Sequence, residues 1–295
     1  ICAPNSTDPN SPLFTQVLNL AANETYIAVA SGIVSATGYS PLQPFTLEVF
    51  AQGRETAAGG AGNTDVLVFH GSTDTPTVDV YESGIPAGTI VDNAAYTDFA
   101  GYLELGTADY TLQVRDENQS TIVAAYSAPL QTLSLGGTAI TVLASGFLDP
   151  SANSNGPAFG LWVALPAGGP LVALPAAAIP GARIQVIHNS ADLAAAEVDV
   201  YLNGGLLLND FAFRTATPFV DVQAGIDLEV AIAPSTSTNV SDALATFTYN
   251  LADGETYTLV ANGIVSASGY SPVQPFDIYV YAGSREAATS GASNT

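Results

Sequence analysis

Two histidines, His70 and His188, stand in the same setting. Each ends a short apolar run and each is followed by Val-Asp-Val-Tyr, whose acids are Asp79 and Asp199. A His/Asp pair suits general acid–base catalysis or a metal ligand set. No nucleophile recurs beside either pair, and one imidazole with one carboxylate falls short of a zinc shell. Recurrence in both copies therefore reads as a strand-end imidazole hydrogen-bonded within the fold, and no catalytic residue is assigned. Hard cations are the second chemistry. Asp74, Asp79, Asp192, Glu197 and Asp199 crowd one loop region of each copy, which makes Asp74, Asp79, Asp192 and Asp199 the calcium candidates. No Asp-x-Asp-x-Asp-Gly spacing accompanies them, and solvated loop acids explain the same residues. The Gly-rich stretches around Gly59 and Gly168 lack the Lys-Ser/Thr of a phosphate loop, so they read as linkers. Tyr39, Tyr270 and Trp162 fit a core or strand edge as well as a sugar-binding face.

The elements that position these residues are repeated. Tyr26 to Thr64 and Tyr257 to Thr295 align without a gap and agree at 24 of 39 positions. A full unit can be traced twice. Val66-Leu-Val-Phe-His, Val78-Asp-Val-Tyr and Tyr110-Thr-Leu-Gln-Val lead to Phe159-Gly-Leu-Trp-Val; Ile184-Gln-Val-Ile-His and Val198-Asp-Val-Tyr lead to Phe276-Asp-Ile-Tyr-Val. In every closing half a Gly lies 13 residues before a Phe: Gly32 to Phe45, Gly146 to Phe159, Gly263 to Phe276. Three closing halves thus accompany two opening halves. Fixed-period repetition organises architecture rather than chemistry.

The segments are short, β-branched and aromatic, and are bounded by Gly, Pro, Asn and Asp, which predicts strands. Several alternate apolar with polar residues, as Phe276-Asp-Ile-Tyr-Val does, so one face meets a core and the other water. A single helical turn within Ala191 to Val198 is the only helix expected. Units of this size and rhythm predict an all-β chain of tandem immunoglobulin-like sandwiches plus an N-terminal half-domain. The expected division is a half-repeat over 1–52, a linker over 53–64, a sandwich over 65–165, a Pro/Gly/Ala linker over 166–182, a sandwich over 183–283 and a linker-like tail over 284–295.

An opening strand ending in His, a small acidic loop, Val-Asp-Val-Tyr, a Tyr-Thr-Leu-Gln-Val strand and the late Tyr257-Thr-Leu-Val-Ala-Asn-Gly strand resemble the family named domain of unknown function 4397. The resemblance implies tandem β-sandwich modules of secreted and cell-surface microbial proteins, and implies no activity. The loops Gly71-Ser-Thr-Asp and Asn189-Ser-Ala-Asp depart from the family's usual opening loop in lacking its proline.

Composition limits the setting. There are 27 acidic residues against five Arg and no Lys, for a net charge of −22. That sign repels phosphate backbones and anionic lipid, so nucleic-acid and membrane-surface roles are not expected. The first residues, Ile1-Cys2-Ala3-Pro4, and the lack of any Met fit a mature exported chain whose signal peptide is gone. The most apolar stretch, Phe159 to Ile187, carries four prolines and does not predict a membrane span. Cys2 is the single cysteine, so a disulfide, if formed, joins molecules. Sequons at Asn5, Asn23, Asn118 and Asn239 mark surface glycosylation candidates.

The N-terminal half has strands, expected over Phe14–Leu18 and Tyr26–Ala30, but no opening half to cover them. Unpaired strand edges recruit partners. The segment packs on its own neighbours, belongs to a longer array, or is completed by another subunit. The last route makes a heterologous, open-ended polymer. The reading that follows is a non-enzymatic extracellular structural protein, a homopolymeric surface fibre subunit, with Phe14, Val17, Leu18, Tyr26 and Val29 at the joint. The alternative is a tandem adhesion or carbohydrate-binding module that meets cell-surface or matrix components.

Overall fold

The computed structural model describes residues 2, 6–8, 10, 12–85 and 87–289. It is built from strands, with two 3₁₀ turns, Leu193–Ala195 and Val240–Asp242, as the helical elements among the described residues. The first of these is the single turn expected near Ala191.

The chain begins with a two-stranded antiparallel hairpin, β1 (Tyr26–Ser31) and β2 (Thr46–Ala51). The first full domain contains β3 (Asn63–His70), β4 (Val78–Glu82), β5 (Gly88–Ala94), β6 (Phe99–Gly106), β7 (Asp109–Asp116), β8 (Ile122–Pro129), β9 (Ala139–Ser145), β10 (Gly160–Ala164) and β11 (Val172–Ala173). One sheet runs β11-β10-β9-β3-β6 and the other β5-β4-β7-β8. The second domain contains β12 (Gly181–His188), β13 (Glu197–Leu202), β14 (Gly205–Ala212), β15 (Val220–Gln223), β16 (Asp227–Pro234), β17 (Ala245–Asn250), β18 (Thr256–Asn262) and β19 (Asp277–Ala282). Its sheets run β15-β12-β18-β19 and β14-β13-β16-β17.

Alternation along the strands sends one residue set inward. Val66, Ile140, Val142 and Val163 from one sheet meet Val78, Val80, Leu112 and Val114 from the other, and this is the first core. Ile184, Val186, Leu259 and Ile278 against Val198, Val200, Val230 and Ile232 form the second. Both domains are therefore β-sandwiches of the immunoglobulin-like kind. In each, the opening strand pairs in parallel with the first strand of the closing half, β3 with β9 and β12 with β18.

The chain divides into two compact units, Ile1–Glu117 with Val123–Ala178, and Asn118–Ile122 with Ile179–Thr295. The N-terminal hairpin belongs to the first unit and packs on its domain. Phe50 contacts Phe99 and Tyr102, with centroids 5.3 and 5.8 Å apart. Arg54 pairs with Asp65 and Glu104, both at 2.7 Å. Ser31 Oγ lies 3.1 Å from the Tyr96 hydroxyl. The segments expected as linkers are sewn to the sandwich. Ala57 donates to Gly137 O, and Thr56 bridges Thr138. In the second segment, β11 pairs with β10, and Leu174 enters the core.

The strand expected over Phe14–Leu18 does not form. Val17 is 85% exposed and Leu18 37%, so the run buries little apart from Phe14. A side chain takes the strand's place: Gln16 Nε2 donates to Leu47 O at 3.1 Å, and Gln16 Oε1 accepts from Leu47 N at 3.3 Å. Phe14 meets Phe45 edge-on at 5.1 Å.

Candidate functional site

The three closing halves share one loop, and its geometry explains the Gly-to-Phe spacing. Gly32, Gly146 and Gly263 have φ of 88°, 90° and 96°. A Cβ at each would lie 2.2 Å from the carbonyl oxygen of Pro44, Ala158 or Pro275 respectively. Only glycine fits a left-handed turn pressed against a facing backbone. The next residue bridges that same partner in parallel: Ile33 to Pro44, Phe147 to Ala158, Ile264 to Pro275.

In both full domains the opening half clasps this loop. The residue after the opening histidine donates its N–H to the closing strand, Gly71 to Ala144 O at 2.9 Å and Asn189 to Ala261 O at 2.8 Å. The following serine hydroxyl donates to the loop glycine, Ser72 to Gly146 O and Ser190 to Gly263 O, both at 2.7 Å. An aspartate two residues later completes the clasp. Asp74 accepts from Leu148 N, Asp149 N and Asn153 Nδ2. Asp192 accepts from Ser266 N at 2.6 Å, Ser266 Oγ at 2.8 Å, Tyr270 hydroxyl at 2.9 Å and Ala194 N at 3.0 Å. Burial alone would raise the Asp192 carboxyl; these donors outweigh it and hold the group well below the usual carboxylate range.

The other predicted residues fall into place around this clasp. His70 Nε2 lies 3.1 Å from Pro76 O, and His188 Nε2 lies 2.8 Å from Ala195 O, which assigns the proton to that nitrogen in the neutral ring. Burial lowers the pKa of both imidazoles. The His/Asp pairing that acid–base work requires is not formed. Asp79 accepts from Asn93 N at 2.7 Å, and Asp199 accepts from Asp210 N at 2.9 Å and from Ser237 Oγ. Among the described residues no group of three or more His, Cys, Asp or Glu is placed to hold a metal ion, and Glu197 is exposed. Asn23, Asn118, Asn239 and Cys2 are exposed, while Asn5 lies outside the described residues.

The N-terminal copy lacks the clasp. β1 corresponds to β9 and β18, which β3 and β12 cover. Because Leu47 bonds Gln16 with both backbone groups, Leu47 and its partner Ala30 direct their N–H and C=O away from each other. Ala28 and Ala30 therefore aim their backbone groups off the free side of β1. Among the described residues no donor reaches Ala30 O or Gly32 O, the counterparts of the two clasped carbonyls in each full domain. That side faces a cavity of about 540 Å³, lined by every residue from Ile27 to Ile33 and, opposite, by Phe69, Thr141, Leu143 and Ser145. Residues from both faces of β1 line it, Ile27 and Val29 as well as Ala28 and Ala30, so the cavity runs along the strand's edge. Of the residues expected at a joint, Tyr26 and Val29 lie on β1, Phe14 is held by Phe45, and Val17 and Leu18 are exposed. Sequence reasoning missed Ala30, Gly32, Ser35 and Tyr39 as site residues. Their identity or near-identity with Ala261, Gly263, Ser266 and Tyr270 was the available signal.

A family model described as Domain of unknown function (DUF4397) matches residues 64–155 and 182–292, the two sandwiches. The chain belongs to this family. No curated protein matches it. Among solved structures it is similar to a family 26 carbohydrate-binding module of Eubacterium rectale bound to maltoheptaose, at 12% identity over 75% of this chain and 98% of that one, TM-score 0.22. It is also similar to streptococcal family 41 carbohydrate-binding modules, at 12% identity, 68% and 93% coverage and TM-score 0.19. A proposed cell adhesion protein of Bacteroides eggerthii aligns at 11% identity, 76% and 95% coverage and TM-score 0.19. At these TM-scores the alignments carry no argument about function. Among the described residues no helix is long and apolar enough to cross a membrane.

Proposed function

We propose that this chain is a non-enzymatic extracellular structural protein whose copies join by completion of the N-terminal half-repeat, building a surface fibre. One observation carries the reading: β1 keeps an unpaired edge along a cavity, although both of its homologues in the chain are covered on that edge by an opening strand. An edge of this kind templates pairing with another chain. Because donor and acceptor surfaces differ, the contact is heterologous and propagates. The sparse, acidic charge keeps free copies apart until specific pairing occurs. Electron microscopy and light scattering of the full chain test this. Regular fibres with one chain per repeat are expected, and monodisperse particles of a single chain's mass at all concentrations would contradict it.

A second reading rests on a separate face. Tyr279 and Tyr281 alternate on β19, 46% and 58% exposed, and so present two neighbouring rings on one side of the sheet. Such rings stack on sugar faces. Glycan-dependent stabilisation that Tyr281→Ala abolishes is the outcome this reading requires.

A further inference from the structure

The kind of strand that completes β1 can be read from the chain itself, given that the N-terminal half is completed in trans. The two full domains use different clasps. The first closes with Asp149 and Asn153 in its loop, facing Asp74. The second closes with Ser266 and Tyr270, facing Asp192. The N-terminal loop carries Ser35 and Tyr39, the second set. Ser35 is exposed, and neither the Ser35 amide and hydroxyl nor the Tyr39 hydroxyl has a hydrogen-bond partner among the described residues. Tyr39 is nevertheless held in place, its ring 5.6 Å from Phe147 and the next amide, Ser40 N, donating to Asn153 Oδ1 at 3.0 Å.

We propose that the β1 groove binds an opening segment of the β12 type, presented by another molecule of the same repeat family. The segment has the chemistry of residues 181–192: an alternating strand ending in His, then Asn-Ser-Ala-Asp. The register follows from the second domain, where Ile184 faces Tyr257, Val186 faces Leu259 and His188 faces Ala261 in parallel. Carried to the N-terminal copy, those three residues face Tyr26, Ala28 and Ala30. The residue after the histidine then donates to Ala30 O, the serine hydroxyl donates to Gly32 O, and the aspartate accepts from Ser35 and Tyr39. The small Ala28 and Ala30, both exposed, leave the approach unobstructed.

The test is titration of the unassembled full chain with a synthetic peptide of residues 181–192, followed by calorimetry. Saturable one-to-one binding is expected, and excess peptide slows assembly. Tyr39→Phe, which keeps the ring on Phe147, weakens binding about tenfold through the loss of one charge-assisted bond, and Asp192→Asn in the peptide weakens it at least as much because the carboxylate accepts from both Ser35 and Tyr39. Ala30→Pro removes an N–H that points into the groove and not at β2, so the hairpin persists by circular dichroism while binding is lost. A peptide of residues 63–74, with the Asp74 clasp, binds more weakly. Absence of saturable binding at millimolar peptide, or binding that Tyr39→Phe and Ala30→Pro leave unchanged, would overturn the assignment. Fibres that form without peptide binding or inhibition remove this assignment alone. Peptide binding by a chain that never assembles supports the groove and removes the fibre reading.

Discussion

The hairpin β1–β2 and the hairpin β18–β19 are copies of one repeat half and have opposite fates. In the second, Leu259 and Ala261 are 1% and 5% exposed, covered by an opposing sheet and flanked by β12. In the first, the same positions are Ala28 and Ala30 and stand open. Its other face is covered instead, by Phe99 and Tyr102 of the first domain, and its outer edge is met by Gln16. The comparison teaches that one repeat half can be held in place without being completed. One face and the outer edge are met within the chain, whereas the Ala28/Ala30 face and the edge that its homologues use for their opening strand stand open.

The comparison can be broken first at the core. Leu259→Ala removes a buried side chain and is expected to cost about 2–5 kcal/mol. Ala28→Gly, at the equivalent site, should cost no more than about 1 kcal/mol, from backbone entropy. Chemical denaturation of the two variants measures the contrast.

The clasp gives the next largest effect. Asp192→Asn disrupts a buried acceptor of four hydrogen bonds and is expected to cost about 1–3 kcal/mol, while Ser35→Ala should leave the free chain's stability unchanged. The Asp192 carboxyl titrates below its unfolded value. Its stabilisation is therefore complete above about pH 4 and is lost as the pH falls further. Acid unfolding of Asp192→Asn should be correspondingly flatter in that range.

A smaller contrast lies at the ends of the hairpins. Arg54 is paired with Asp65, whose side chain is fully buried, whereas its counterpart Arg285 has no ion pair among the described residues. Arg54→Ala should cost about 1 kcal/mol after allowance for the exposure of the guanidinium, and Arg285→Ala about nothing. Thermal melts decide this.

The histidines sharpen the comparison by pH. Both are buried neutral with lowered pKa, so stability is full above the unfolded value of about 6.5 and declines as the pH falls below it. His188→Gln should remove part of that slope. The hairpin β1–β2, which contains no histidine, adds nothing to it.

Much of this was legible in the sequence, because repetition is. Val66-Leu-Val-Phe-His and Ile184-Gln-Val-Ile-His announced β3 and β12, and the three Gly-to-Phe spacings announced the shared loop. The clasp is less legible, since Asp74 and Asp192 read as calcium candidates and no local pattern shows that loop amides face them. An acidic side chain two residues after a serine suits either role, and the sequence does not show which loop amides face it. The strand expected over Phe14–Leu18 failed for a reason no local pattern shows: the edge it would have paired with is taken by a single amide side chain. The segment 166–182 looked like a linker because of its prolines, yet Val172 and Ala173 still pair with β10 and Leu174 still reaches the core.

The open edge itself is best tested by hydrogen exchange at single residues. In the free chain the amides of Ala28 and Ala30 should exchange rapidly while those of Leu259 and Ala261, which point at β12, are protected; in the assembled material all four should be protected. Protection of Ala28 and Ala30 in the free chain, or their continued rapid exchange after assembly, would contradict completion at this edge.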